Sequence, residues 1–260
     1  MPANFLTTSL NVIALSTLLM ACSEPQAEKT VNNEPQNQQA SATVVSGDFI
    51  KATQVPNSTS KRQALLKELQ SKNDANSKRL ALFVRYTELT NAAEIKQDVL
   101  EPLLKDIDAQ LKANSDDHEL RALFGSATSL QAIFHLEDVG QTNLLAKKGG
   151  RQLDRAVKKA PNHMGVRMYR GITYAEMPAF LGKARFAKQD FEAIKQALGS
   201  QTAAGNSADG DYIAMINYYY AMALIKDNQK DQGQSLLNQV IKSQKAPWAV
   251  KAQALLKEVS

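Results

Sequence analysis

Arg167, Arg170 and Tyr174 stand three and four residues apart, a spacing that puts all three on one face of a helix. A guanidinium fork can grip a carboxylate through two hydrogen bonds, and a tyrosine hydroxyl can donate beside it, so these residues form a candidate anion site. They also have a structural alternative, in which the arginines pair with acids such as Asp190 or Glu192 and Tyr174 packs between helices. Other residues capable of chemistry are scattered. His118, His135 and His163 lie in separate segments with no second histidine at a ligand spacing, so no zinc site is expected. Glu137 and Asp138 beside His135 read as a helix end meeting solvent. The chain has no GxSxG elbow and no P-loop, and Gly149-Gly150 lacks the strand that a nucleotide fingerprint requires. No catalytic residue, metal ligand or cofactor is expected, and therefore no enzyme.

Cys22 is the single cysteine, and it closes an apolar run over residues 5–20 that ends in Leu19-Met20-Ala21. Thr7, Thr8, Ser9, Asn11, Ser16 and Thr17 interrupt the run, which is too short to cross roughly 30 Å of hydrocarbon. The segment resembles a bacterial lipoprotein signal peptide, whose lipobox ends in the cysteine that is acylated; Met20 is bulky for its place, and no Lys or Arg precedes the apolar core. The resemblance implies cleavage before Cys22, lipid of the palmitate type on that residue, and a lipid-anchored protein on the periplasmic side of the cell envelope. Ser23 in place of an aspartate implies the outer membrane rather than the inner. With Cys22 lipidated, the rest of the chain has no thiol and no disulfide, so its stability must come from packing.

Residues 23–47 are rich in Gln, Asn, Glu, Ser and Pro and contain no aromatic, Leu or Ile side chain. Such a stretch cannot bury enough apolar area to offset its ordering entropy. Extended to residue 59, it forms a tether with a flexible-coil reach of about 35 Å. The expected organisation is a signal peptide over residues 1–22, a disordered tether over 23–59 and a folded domain over 60–260.

That domain reads as all-α. Residues 61–72 place Leu65, Leu66 and Leu69 at helical spacing, residues 77–90 do so with Leu80, Leu82, Phe83 and Tyr86, and residues 92–113 carry an apolar stripe from Ile95 to Leu111. No alternating β-branched run bounded by turn residues suggests a sheet. Polar breakers at residues 114–117 and 138–141, together with Pro161 and Pro178, separate further helices over 118–136, 142–160, 164–177 and 183–198. Residues 199–211 read as a loop, and helices over 212–226, 229–243 and 248–259 follow.

Laid over one another, these helices resemble tetratricopeptide (TPR) repeats. Arg167-x2-Arg170-Gly171-x2-Tyr174 and Ala187-x3-Phe191 resemble the two halves of that motif; Gly149-x3-Leu153-x2-Ala156 before Pro161, and Ala221-x2-Leu224 before Gly233-x3-Leu237-x2-Val240, repeat it at an irregular period. The likeness covers residues 117–260, with a worn unit over 76–114. It implies a TPR-like superhelix of stacked helix pairs, with Gly171, Ala187 and Phe191 buried where paired helices meet and the first helix of each pair lining a concave surface. It also implies a non-catalytic scaffold for an envelope protein or peptide. Residues 150–198 look, less closely, like the lipoprotein partner of tripartite dicarboxylate-type transporters. That likeness implies the alternative of a small anionic ligand held by Arg167, Arg170 and Tyr174.

Charge is uneven. The chain carries a formal +5, yet Lys147, Lys148, Arg151, Arg155, Lys158, Lys159, Arg167, Arg170, Lys183, Arg185 and Lys188 fall in one window with only Asp154 and Glu176 as acids before residue 190. A basic surface there would attract anionic headgroups, cell-wall carboxylates or an acidic partner, and otherwise is a solvated face. An exported protein is not expected to meet nucleic acid. In the run Tyr218-Tyr219-Tyr220, successive side chains point to different faces, so at most one or two can line a groove.

Overall fold

A computed structural model describes residues 49–203 and 209–260, and among these the chain is helical, with no strand. The helices are α1 (Ile50–Thr53), α2 (Thr59–Gln70), α3 (Ala75–Asn91), α4 (Gln97–Ala113), α5 (His118–Leu130), α6 (Val139–Lys159), α7 (Met164–Glu176), α8 (Ala184–Ala203), α9 (Gly210–Lys226), α10 (Lys230–Lys242) and α11 (Trp248–Val259). The polar breakers act as N-caps. The carboxylates of Asp74, Asp117 and Asp138 accept from the backbone N–H three residues on at 2.8, 2.9 and 2.9 Å, filling donors that a helix start leaves open. His163 does the same for α7 through Nδ1, which accepts from the Val166 N–H at 3.3 Å.

Each helix from α2 onward packs on the next, and α3, α5, α7, α9 and α11 also pack each on the next but one. The result is a layered stack with one set of helices turned inward. Small residues set the spacing of the layers. A Cβ on Gly171 would stand 3.0 Å from the Phe191 ring, and Ala187 and Phe191 are fully buried beside it, so the contact between α7 and α8 forms at the residues that the repeat pattern marks. The last turn of α7 is closed from a neighbouring layer: Lys226 Nζ donates to the Ala175, Glu176 and Met177 carbonyls at 2.6, 3.2 and 2.9 Å, which satisfies orphan acceptors and suits the negative end of the helix dipole.

Three features depart from the sequence reading. The helix that begins at Ala184 continues through Gly199 to Ala203, where a loop was expected. The stretch after Leu130 tightens into a 3-10 turn over Gln131–His135 instead of continuing the α-helix. Burial also occurs before residue 60, the expected start of the folded domain: Phe49, Ile50 and Val55 are buried at 2%, 7% and 7% exposure among the helices.

The segment from Phe49 to Asn57 is fastened at both ends. At its start the Ile50 N–H donates to Glu119 Oε1 at 3.2 Å, and Glu119 and Asp117 are both held by Arg79. At its end the buried Arg62 guanidinium donates to the Pro56 and Asn57 carbonyls at 3.0 and 2.6 Å and also binds Glu88. Arg62→Ala removes several charge-assisted bonds but leaves Glu88 partly open to water, so a loss of about 2 kcal/mol is expected. Hydrogen exchange should show the amides of residues 50–57 exchanging faster than in the wild type while α7 and α8 stay protected; unchanged protection at 50–57 would refute the fastening role.

Candidate functional site

The three residues read as an anion site are engaged with the protein itself. Arg167 donates to Asp190 Oδ1 at 2.9 Å, and Arg170 grips both Asp190 oxygens at 2.7 and 2.9 Å and reaches Asp154 at 3.2 Å. Asp190 is fully buried, and Tyr174, also fully buried, donates to the Gly150 carbonyl at 3.1 Å. The fork therefore already holds its carboxylate, which comes from α8. Burial of Arg170 disfavours its charge, but the Asp190 hydrogen bonds and charge more than offset this and raise its pKa. Residues 167, 170 and 174 belong to the face of α7 that packs on α6 and α8.

The opposite face of α7 lines a cavity of about 570 Å³. Its walls come from α3, α5, α7, α9 and α11, the set turned inward, and the segment around α1 and the start of α2 borders it. The volume lies within the ~300–1,000 Å³ range usual for small-molecule sites. Tyr169, Ile172 and Glu176 reach it from α7, Tyr212, Met215 and Tyr219 from α9, and Trp248 and Lys251 from α11.

Polar groups converge there without full partnership. The Tyr169 and Tyr212 hydroxyls are buried and have no hydrogen-bond partner among the described residues, although these side chains are only 2% and 7% exposed. An orphaned buried hydroxyl costs about 1–3 kcal/mol; both residues line the cavity, but their hydroxyl oxygens are closed off behind its wall. Tyr86 is satisfied in contrast: its hydroxyl meets Ser126 Oγ at 2.6 Å, which meets Thr173 Oγ1 at 2.7 Å. Glu176 is an exposed residue on the cavity's lining; desolvation raises its pKa, opposed by Tyr219 and by the charges of Lys251, Lys226 and Lys51.

Lys51, on α1, is a strongly displaced cation. Desolvation brings its pKa down from 10.5 to about 8, with Lys251 and Arg62 pushing the same way and Glu176 opposing. A lysine with a depressed pKa in the fold binds fewer protons than in the unfolded chain between pH 8 and 10.5, so its penalty is present below pH 8 and fades as pH rises through that window. Lys51→Met should accordingly be more stable than wild type near pH 7, with the advantage shrinking by pH 10. Urea midpoints at four pH values check this, and an advantage independent of pH would refute it.

The basic window divides in two. Lys147, Lys148, Arg151, Arg155, Lys158 and Lys159 form one exposed stripe along α6 and make no salt bridge to another described residue, whereas Arg167, Arg170, Lys183 and Lys188 are paired with Asp190, Asp154 or Asp227. Of the tyrosine run, Tyr219 lines the cavity; Tyr220 lies away from it and reaches Glu192 at 3.4 Å. Cys22 lies outside the described residues. No cluster of three or more His, Cys, Asp or Glu that could hold a metal occurs among the described residues, and no helix there is long and apolar enough to cross a membrane.

Comparison with protein-family models, with curated proteins and with solved structures gives no match.

Sequence reasoning weighed the tyrosine run that includes Tyr219 for a groove but passed over the other cavity residues, although their spacing was visible. Tyr169, Ile172 and Glu176 follow a three-and-four pattern on α7, as Tyr212, Met215 and Tyr219 do at three and seven on α9. Each set reads as core, and Tyr169, Tyr212, Met215 and Tyr219 are buried; only the neighbouring layers show the cavity against them.

Proposed function

We propose that this protein is a non-catalytic binding protein of TPR-like helical-repeat architecture, anchored by lipid on Cys22 to the periplasmic side of the envelope, and that it takes its ligand in the cavity. The observation that carries this reading is a cavity of small-molecule size walled by the inner helices, with Lys51, Lys251 and Glu176 on its lining and in no salt bridge among the described residues. The layered packing, with α3, α5, α7, α9 and α11 inward, supports the repeat architecture. A repeat stack of this kind presents its inner helices as the binding surface.

A second reading, an envelope protein or surface as partner, is favoured by the exposed stripe on α6. Its six cations follow the exposed Leu136, Val139 and Leu144 at the start of that helix, a combination suited to an anionic surface.

Native mass spectrometry of the protein extracted from membranes separates the two. A small ligand is expected to be carried by the wild type and by a Lys158→Gln/Lys159→Gln variant, and lost in Ile172→Trp, which fills the cavity. Retention in Ile172→Trp would overturn the cavity reading. Cys22→Ser should move the protein out of the membrane fraction and abolish palmitate labelling; unchanged labelling would remove the anchor.

A further inference from the structure

We propose that the cavity is built for a dipolar ligand, a free di- or tripeptide whose ammonium end meets Glu176 and whose carboxylate end meets Lys51 and Lys251. This rests on the cavity-binding reading above and assigns its ligand class. Charge selects the class. Lys51, Lys251 and Glu176 line one cavity and act on one another electrostatically, yet none of the three makes a salt bridge among the described residues. The other charges there are committed: Arg62 binds Glu88 and two carbonyls, and Asp209 and Asp211 accept from Asn57 at 3.2 and 3.3 Å. A simple anion would set its charge against Glu176, and a simple cation would face two lysines. A molecule with both ends charged satisfies both signs at once.

The cavity also has an apolar part. Trp248, Ile172 and Met215 offer apolar wall for side chains. The segment carrying Lys51 is held by Glu119 and Arg62, so the carboxylate-binding end is preformed.

Trp248 is the only tryptophan of the chain and lines the cavity, so its emission reports binding directly. The full-length protein in detergent is titrated with phenylalanyl-leucine, with its N-acetyl derivative, and with its C-terminal amide. The free dipeptide is expected to give a saturable change, and blocking either end is expected to weaken binding at least tenfold. Glu176→Gln should bring the free and acetylated forms to equal affinity; should that variant misfold by circular dichroism, the wild-type comparison decides alone. A decapeptide with the same two C-terminal residues is expected to bind no better than the acetylated dipeptide, because its amino end lies elsewhere. Equal binding of blocked and free forms, tight binding of the decapeptide, or no saturation at millimolar free dipeptide overturns the proposal. If no dipeptide saturates while Ile172→Trp still abolishes capture of a ligand, the dipolar assignment fails and the cavity reading stands.

Discussion

Asp190→Ala is expected to cost about 3–5 kcal/mol, because it leaves the Arg170 guanidinium buried without its carboxylate. Arg170 retains only its 3.2 Å contact with Asp154, which is half open to water, and Arg167 loses its partner in the same step. For a folded unit of this size, each kilocalorie lowers the melting temperature by roughly 2–4 °C, so a fall of about 6–20 °C should appear in a thermal scan. The same arithmetic reverses an expectation drawn from the sequence. Had Arg167 and Arg170 served a ligand, replacing both with Gln would weaken binding and largely spare stability. The structure expects the opposite: the double Gln variant strands Asp190, which is fully buried, and lowers the melting temperature. A normal melting temperature for either variant would refute the structural role of this triad.

Much of the fold could be read from the residue pattern because helix boundaries depend on local chemistry. Asp74, Asp117 and Asp138 cap the helices that follow them, as polar residues before an apolar stripe are expected to do. The all-α class and most helix limits follow from such signals. Where reading failed, the deciding interaction was distant. Nothing near Phe49 marks it as core, since its place is set by Tyr212, whose ring lies 5.3 Å away, and by helices more than a hundred residues on. Gly199 was read as loop because glycine and polar residues surround it, yet α8 carries through.

The site was less legible than the fold for a related reason. Arginine and tyrosine at helical spacing can form a ligand fork or a packed ion pair, and sequence cannot say which face meets a neighbouring helix. On α7 the face with Arg167 and Arg170 is the one packed on α6 and α8, and the face with Ile172 and Glu176 lines the cavity. The basic window shows the same ambiguity: spacing alone did not separate the exposed cations of α6 from Arg167 and Arg170 of α7, which are neutralised by Asp154 and Asp190.

Gly149→Ala is expected to destabilise by about 3 kcal/mol even though alanine is the better helix former. In an open helix the exchange gains about 1 kcal/mol. At Gly149 the added Cβ would stand 2.1 Å from Ser129 Oγ, 2.4 Å from the Gly125 carbonyl oxygen and 2.7 Å from the Ser129 backbone nitrogen. The serine hydroxyl can rotate away, but the two backbone atoms cannot, so α5 and α6 must separate and lose packing along their length. Gly125 faces the same contact from the other side, where a Cβ would meet the Gly149 carbonyl at 2.8 Å. Gly199→Ala supplies the control, because a Cβ there meets nothing within 4 Å and the residue sits inside α8. That change should stabilise by about 0.5–1 kcal/mol. Chemical denaturation of the two variants beside wild type should therefore shift the midpoint in opposite directions. A shift toward stability in Gly149→Ala would mean that α5 and α6 do not meet through these glycines, and the register of the whole stack beyond them would be wrong.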